Sequence, residues 1–354
     1  MKNHIFSGYM GHGSCHCQGI AVDKKNGYLY YSFTTKLLKS DLDGNIIGSV
    51  DKIVGHLGCI DFNERDGKVY ASLEYKNDEI GRGILKTLGV DDDSLQDAFY
   101  VAIFDVDKID RMDMNAETDG IMKTVYLGAV VDDYNGTAKN GAPHIHGCSG
   151  IDGITVGPDF GDKNGKHYLH VCEGIYSDHS RTDNDYQVVY QYDVEGWWDS
   201  YAQPLNQHSM HRSGPEKPRN QYFFYTGNTT YGVQNFEYDE FTGDYFACVY
   251  EGSKPQFPNY PMFVVDGSIA PKEEELIGCD GEKGLVLTLK NVGLCENGIC
   301  GASFPHGCTG FYSFGDGRFF VSQHTYSADD GQATNVYLYR LVNNNGVIDF
   351  EKID

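Results

Sequence analysis

Five segments of the chain open alike. They are His16-Cys17-Gln18-Gly19-Ile20, His56-Leu57-Gly58-Cys59-Ile60, His146-Gly147-Cys148-Ser149-Gly150-Ile151, Tyr231-Gly232-Val233-Gln234-Asn235-Phe236 and His306-Gly307-Cys308-Thr309-Gly310-Phe311. Each leads into a short apolar run, a turn carrying Asp, Asn or Gly, and a second run rich in aromatic residues. The second runs are Tyr28 to Tyr31, Lys68 to Ala71, His167 to His170, Tyr245 to Cys248 and Phe319 to Ser322. Lys25-Asn26-Gly27, Arg65-Asp66-Gly67 and Gly315-Asp316-Gly317 between them are hairpin turns by composition, because Asn, Asp and Gly tolerate the positive φ such turns need. Third strands are expected at Leu37 to Asp41, Tyr100 to Asp105, Val188 to Tyr192, Met262 to Val265 and Val336 to Leu341. Fourth strands are expected at Ile46 to Val50, Thr124 to Val130, Gln221 to Thr226, Leu285 to Leu289 and Val347 to Glu351.

Five such units without a long helix predict an all-β chain, a five-bladed β-propeller with four antiparallel strands per blade around a central channel. The pattern places one domain over 1–354, with blades near 16–55, 56–145, 146–230, 231–305 and 306–354, and with 1–15 helping closure. Length differences fall in loops, notably Gly81 to Ala98 with Asp91-Asp92-Asp93, and Glu195 to Asn220.

In a propeller the first strand of each blade lines the channel, and the second returns to the face where the first began. The start of strand one and the end of strand two therefore meet around one mouth. The first position carries His16, His56, His146 and His306, with Tyr231 as the fifth; the second-strand ends carry Glu74, Glu173, Glu251 and His324, with Thr34 in blade one. Imidazoles from four sides backed by carboxylates suit a divalent cation such as zinc, manganese, iron or nickel, which prefer nitrogen more than calcium does. Loops on that face add His12, His144, Tyr176, His179 and Arg181. In this scheme the four histidines hold the metal, Glu173 or Glu251 serves as acid, base or ligand, and Arg181 or Tyr231 orients the substrate.

A structural role for these histidines competes with that scheme. In propellers of the WD-repeat type a Gly-His pair joins a network with Asp and Trp, and Gly11-His12 and Gly55-His56 are superficially similar. The chain has only two tryptophans, Trp197 and Trp198, so the rest of that signature is missing. No phosphate-binding glycine loop and no Gly-x-Ser-x-Gly elbow is present.

Over nearly the whole chain the repeat resembles five-bladed propellers, a group that includes carbohydrate-active hydrolases, nucleotidases and lectins. In His16, His56, His146 and His306 the chain is also similar to propeller lyases of uronate sugars, which hold a metal with channel histidines. The acidic signature of arabinan-type hydrolases is not evident near the N-terminus. The resemblance implies a metal-dependent enzyme acting on a sugar or sugar acid, as lyase, hydrolase or isomerase, with a small molecule or oligosaccharide as ligand. The alternative is a non-catalytic propeller binding a glycan or a protein. Blades of unequal loop chemistry favour one central site over a repeated lectin site.

Composition narrows the partners. With 26 Tyr, 19 Phe and 43 Gly against 10 Pro, the chain is built for strands and tight turns. A net charge of −23 repels phosphate backbones and anionic bilayers, so neither nucleic acid nor membrane is expected. The N-terminus shows no signal-type apolar run, and the chain as given reads as cytoplasmic. Most of the ten cysteines are then expected as free thiols; Cys295 and Cys300 are a weak zinc pair.

Overall fold

The computed structural model describes residues 16–90, 96–327 and 331–353, and the backbone of 7–11. His12 and the run Asp91 to Asp93 lie outside the described residues.

Strand alternation builds the architecture. In Ala98–Phe104, residues Ala98, Tyr100, Ala102 and Phe104 pack toward blade one, while Phe99, Val101 and Ile103 pack toward blade three. Leu29, Tyr31 and Phe33 of Tyr28–Phe33 likewise face blade five, and Tyr30 faces blade two. Because successive side chains point to opposite faces, every blade is apolar on both sides. Five clusters result, one between each pair of neighbouring blades, and the ring closes as a five-bladed β-propeller.

The inner strands are Cys17–Asp23, His56–Asn63, Cys148–Asp159, Thr229–Asp239 and Phe311–Ser313. In the first four blades the inner strand breaks register with its neighbour by a bulge close to the repeat motif. Blade five is completed from both directions, because the long strand Gly331–Asn344 pairs with Ser7–Gly11 and with Val347–Lys352 along the same edge.

Blade four departs from the expected pattern. Its sheet has three strands, and Lys283–Val286 instead pairs in parallel with Asn220–Tyr225 at the edge of blade three. Leu289 touches blade four by a single bridge to Val265. The segment is held there by Leu276 and Cys279, both buried in the core between blades two and three. The strand expected at Thr124 to Val130 ends at Tyr126, and a helix, Gly128–Asn135, follows with Val130 and Tyr134 buried on one face. Part of the expected blade-two loop is also helical: Glu79–Leu88 is capped by the Asp78 carboxylate on the Gly81 amide and ended by Gly89 at φ 66°. Cys295 and Cys300 form a disulfide across a small hairpin, in place of free thiols or a zinc pair.

Asn235 spans the channel from blade four. Fully buried, it donates through Nδ2 to the carbonyls of Gln18 (2.8 Å) and Cys308 (3.1 Å), and its Oδ1 accepts from the Cys59 thiol at 3.4 Å. One amide thus joins four blades. Asn235→Ala is expected to cost about 2–4 kcal/mol, because buried carbonyls lose their donor. Asn235→Asp should cost at least as much, since a carboxylate cannot donate; urea unfolding midpoints of the two variants check this.

Candidate functional site at the mouth of the channel

The bulges decide which side chains enter the channel. In blade three, register with the second strand is lost between Ile151 and Ile154, and Asp152 falls in that gap. An extra residue in a strand re-aims its side chain. Asp152 keeps 8% of its surface exposed and accepts the Cys59 amide at 3.3 Å. Gly58 of blade two makes the room: a Cβ there would stand 2.4 Å from Asp152 Oδ1. Burial, with the Glu74 carboxyl nearby, raises the Asp152 carboxyl well above the usual range.

The Tyr250 hydroxyl of blade four lies near enough to feel this carboxyl. The His16 Nε2 pairs with the Tyr250 hydroxyl at 2.9 Å, and its ring meets His324 edge-on at 5.4 Å. Burial, then the neighbouring His324 and His56, lower the His16 imidazole to about 4. Beside it an open cavity of about 450 Å³ is lined by Tyr250, Glu251, His306, Thr309, Gln323 and His324. His306 and His324 are lowered chiefly by partial burial as well.

In the neighbouring blade two, His56 Nδ1 lies 3.5 Å from Glu74 Oε1, which also holds the Lys76 ammonium at 2.6 Å. The other Glu74 oxygen accepts the Ile151 amide at 3.0 Å, and Lys76 donates to the Ser149 carbonyl at 2.8 Å. Glu74 and Lys76 therefore clamp blade three where its bulge begins. His56 is pushed down to about 3 by burial and by Lys76.

The remaining expected residues are placed elsewhere. His146 turns outward over blade three, 3.3 Å from Glu282 and edge-on to Phe223, with a backbone φ of 53° that re-aims it. Glu173 is fully buried and shares the Tyr190 hydroxyl with Asp133, so it faces the blade interior and not the mouth. Arg181 is spent on Asp183 and on the carbonyls of Pro143 and His144, which ties loops together and leaves no free fork for a substrate. His144 contacts the Tyr134 carbonyl, and His179 bonds Ser253 on the surface. Tyr231 is 46% exposed at φ 64°, a left-handed conformation unusual for a bulky residue.

Four histidines therefore do not converge, and no group of three or more His, Cys, Asp or Glu among the described residues is placed to hold a metal ion. The donor set does not fit the expected metal centre. Sequence reasoning missed Asp152, Tyr250 and Lys76. Blade two carries the same gap at Gly58-Cys59, so the signal for Asp152 was an acidic residue at a gap position that blade two fills with glycine.

No protein-family model and no curated protein sequence matches the chain. Similar solved structures include an exo-1,5-α-L-arabinanase from a bovine ruminal metagenomic library, at 11% identity over 99% of both chains with a TM-score of 0.42. A thermostable family-43 glycoside hydrolase is similar at 12% identity over 95% of this chain and 93% of that one, with a TM-score of 0.44. A GH43 β-1,3-galactosidase with galactodeoxynojirimycin is similar at 12% identity over 97% and 94%, with a TM-score of 0.43. Likenesses of this size leave the reading of the site to its own residues.

The imidazoles give a pH test. A folded His56 at about 3 against an unfolded value of 6.5 contributes stability that is complete above pH 6.5 and is lost as pH falls toward 3. Melting temperatures of wild type and His56→Gln, taken from pH 7.5 to 4.5, should show the wild type losing more on acidification. Parallel curves would mean that His56 titrates normally.

Proposed function

We propose that the protein is a hydrolase acting on a neutral carbohydrate at this mouth. The observation that carries the proposal is the presence near Cys308 of two unlike carboxyl groups, each of which raises that thiol: Asp152, nearly buried in a setting that favours its protonated form, and Glu251, exposed on the wall of the cavity that Cys308 also lines. Hydrolysis of a glycosidic bond needs one carboxyl to give a proton and another to act as base or nucleophile. In this reading Asp152 protonates the leaving oxygen and Glu251 activates water or attacks the sugar. His16, fixed by Tyr250, presents a neutral imidazole to substrate hydroxyl groups.

The choice of a neutral sugar over a sugar acid rests on three buried basic residues of this face. Lys76 is paired with Glu74, Arg181 with Asp183 and Lys254 with Asp185, all with side chains less than a tenth exposed. None is free to meet a carboxylate or phosphate. Histidines held neutral, hydroxyls and a side-chain amide suit a polyhydroxylated ligand instead. Tyr231 and Tyr326, 46% and 60% exposed, sit on the same face by topology and offer rings for stacking.

Hydrolysis of neutral chromogenic glycosides and oligosaccharides, beside uronate-containing ones, tests the proposal. Asp152→Asn and Glu251→Gln are each expected to lower kcat by about 10²–10⁴. Unchanged rates in Asp152→Asn would remove the assignment, and activity abolished by EDTA and restored by a divalent metal would reinstate a metal-dependent scheme. Binding without turnover would favour a glycan-binding propeller. Gly58→Ala should reproduce much of the Asp152→Asn loss while the protein stays folded, because the new methyl group displaces the Asp152 carboxyl.

A further inference from the structure

The opposite mouth of the channel holds a second, smaller cavity of about 170 Å³. One repeat position of the inner strands points there, filled by Asp61, Thr155, Glu237 and Tyr312 in blades two to five. Asp61 and Glu237 keep only 7% and 6% of their surface exposed. Asp61 is well supplied, accepting the amides of Phe62 (2.7 Å) and Val156 (2.6 Å) and the Thr155 hydroxyl (3.3 Å). Glu237 receives a single bond, from the Ser313 amide at 2.6 Å, and its other oxygen has no partner among the described residues. Tyr312, 6% exposed, lines the same cavity, and its hydroxyl makes no hydrogen bond among the described residues.

We propose that this basal cavity binds a calcium-like divalent cation. Its buried polar groups include two carboxylates, a phenol and a hydroxyl, oxygen donors of the kind hard cations prefer, while His167 and the exposed Lys24 and Arg65 complete the lining. The volume has room for about five waters at ~30 Å³ each, so an ion bound there keeps part of its hydration shell and completes six to eight ligands. Burial holds both carboxyl groups above the usual carboxylate range, and the nearby Asp61 charge adds to the rise at Glu237. A bound cation relieves both costs. Lys24 offsets part of the rise at Glu237, but it is exposed and pairs with Glu64 at 3.1 Å. By bridging blade two to blade four, the ion acts at the base as Asn235 acts at mid-channel.

Calorimetric titration with CaCl2 and tyrosine-sensitised Tb³⁺ luminescence test the assignment on the full chain. One equivalent per chain is expected in the wild type and in Glu251→Gln, which alters the other mouth. Glu237→Gln should bind at least tenfold more weakly, and Tyr312→Phe should lose most of the Tb³⁺ signal, which needs the phenol beside the ion. No saturable binding in the wild type overturns the proposal. So does binding that Glu237→Gln and Tyr312→Phe leave intact, which would be diffuse attraction to an acidic surface. Should Glu237→Gln fail to fold, the wild-type and Tyr312→Phe titrations still decide.

Discussion

Five inner strands crowded around one axis must find partners for polar groups that water reaches poorly, and this constraint shapes the molecule. Asn235 supplies donors to blades one and five and an acceptor to blade two. Two serines repeat a further solution between neighbours: Ser32 donates to the Gly58 carbonyl and Ser72 to the Asp152 carbonyl, both at 2.6 Å. Close approach also demands small residues, as at Gly19, where a Cβ would lie 2.8 Å from the Ile60 amide. Ladders that tight cannot stay regular, and the bulges that relieve them are what free Asp152 to face the channel. The site is thus a by-product of how the axis is packed.

The two mouths differ in what they can attract. At the upper one Lys76, Arg181 and Lys254 are held in ion pairs and His16 is depressed chiefly by burial. The lower one is narrower and concentrates buried acids from separate blades. A chain of net charge −23 therefore presents a ligand cavity of modest charge at one end and an acidic pocket at the other.

Much of the fold was legible because the period-two pattern and the turn residues act locally. Met262–Val265 and Ile46–Asp51 fall where their apolar runs place them. Blade four misled because Lys283–Val286 owes its place to Leu276 and Cys279, whose burial in another blade's core leaves no local trace. The helix Glu79–Leu88 did carry its caps in sequence, at Asp78 and Gly89, and its short length hid it among loops. For the site, repeat position brought His16, His324, Glu251 and His306 to one mouth, as alignment of the blades implies. It failed for His146, whose backbone φ of 53° re-aims it, and for Glu173, which the ladders set level with Leu73 and not with Glu74. A slip of one residue in aligning the blades turns a strand side chain to the other face.

The seam in blade five sets an order of events in synthesis. Ser7–Gly11 is made first, yet its partner residues, Gly331 to Asn335, come almost a full chain later. At typical translation speeds the early strand waits roughly 15–65 s for a mate. A bare strand edge is a hazard in that interval. Ser7-Gly8-Tyr9-Met10-Gly11 carries two glycines and a serine in five positions, a composition that pairs weakly with strangers and yet is sufficient once a preformed edge is offered.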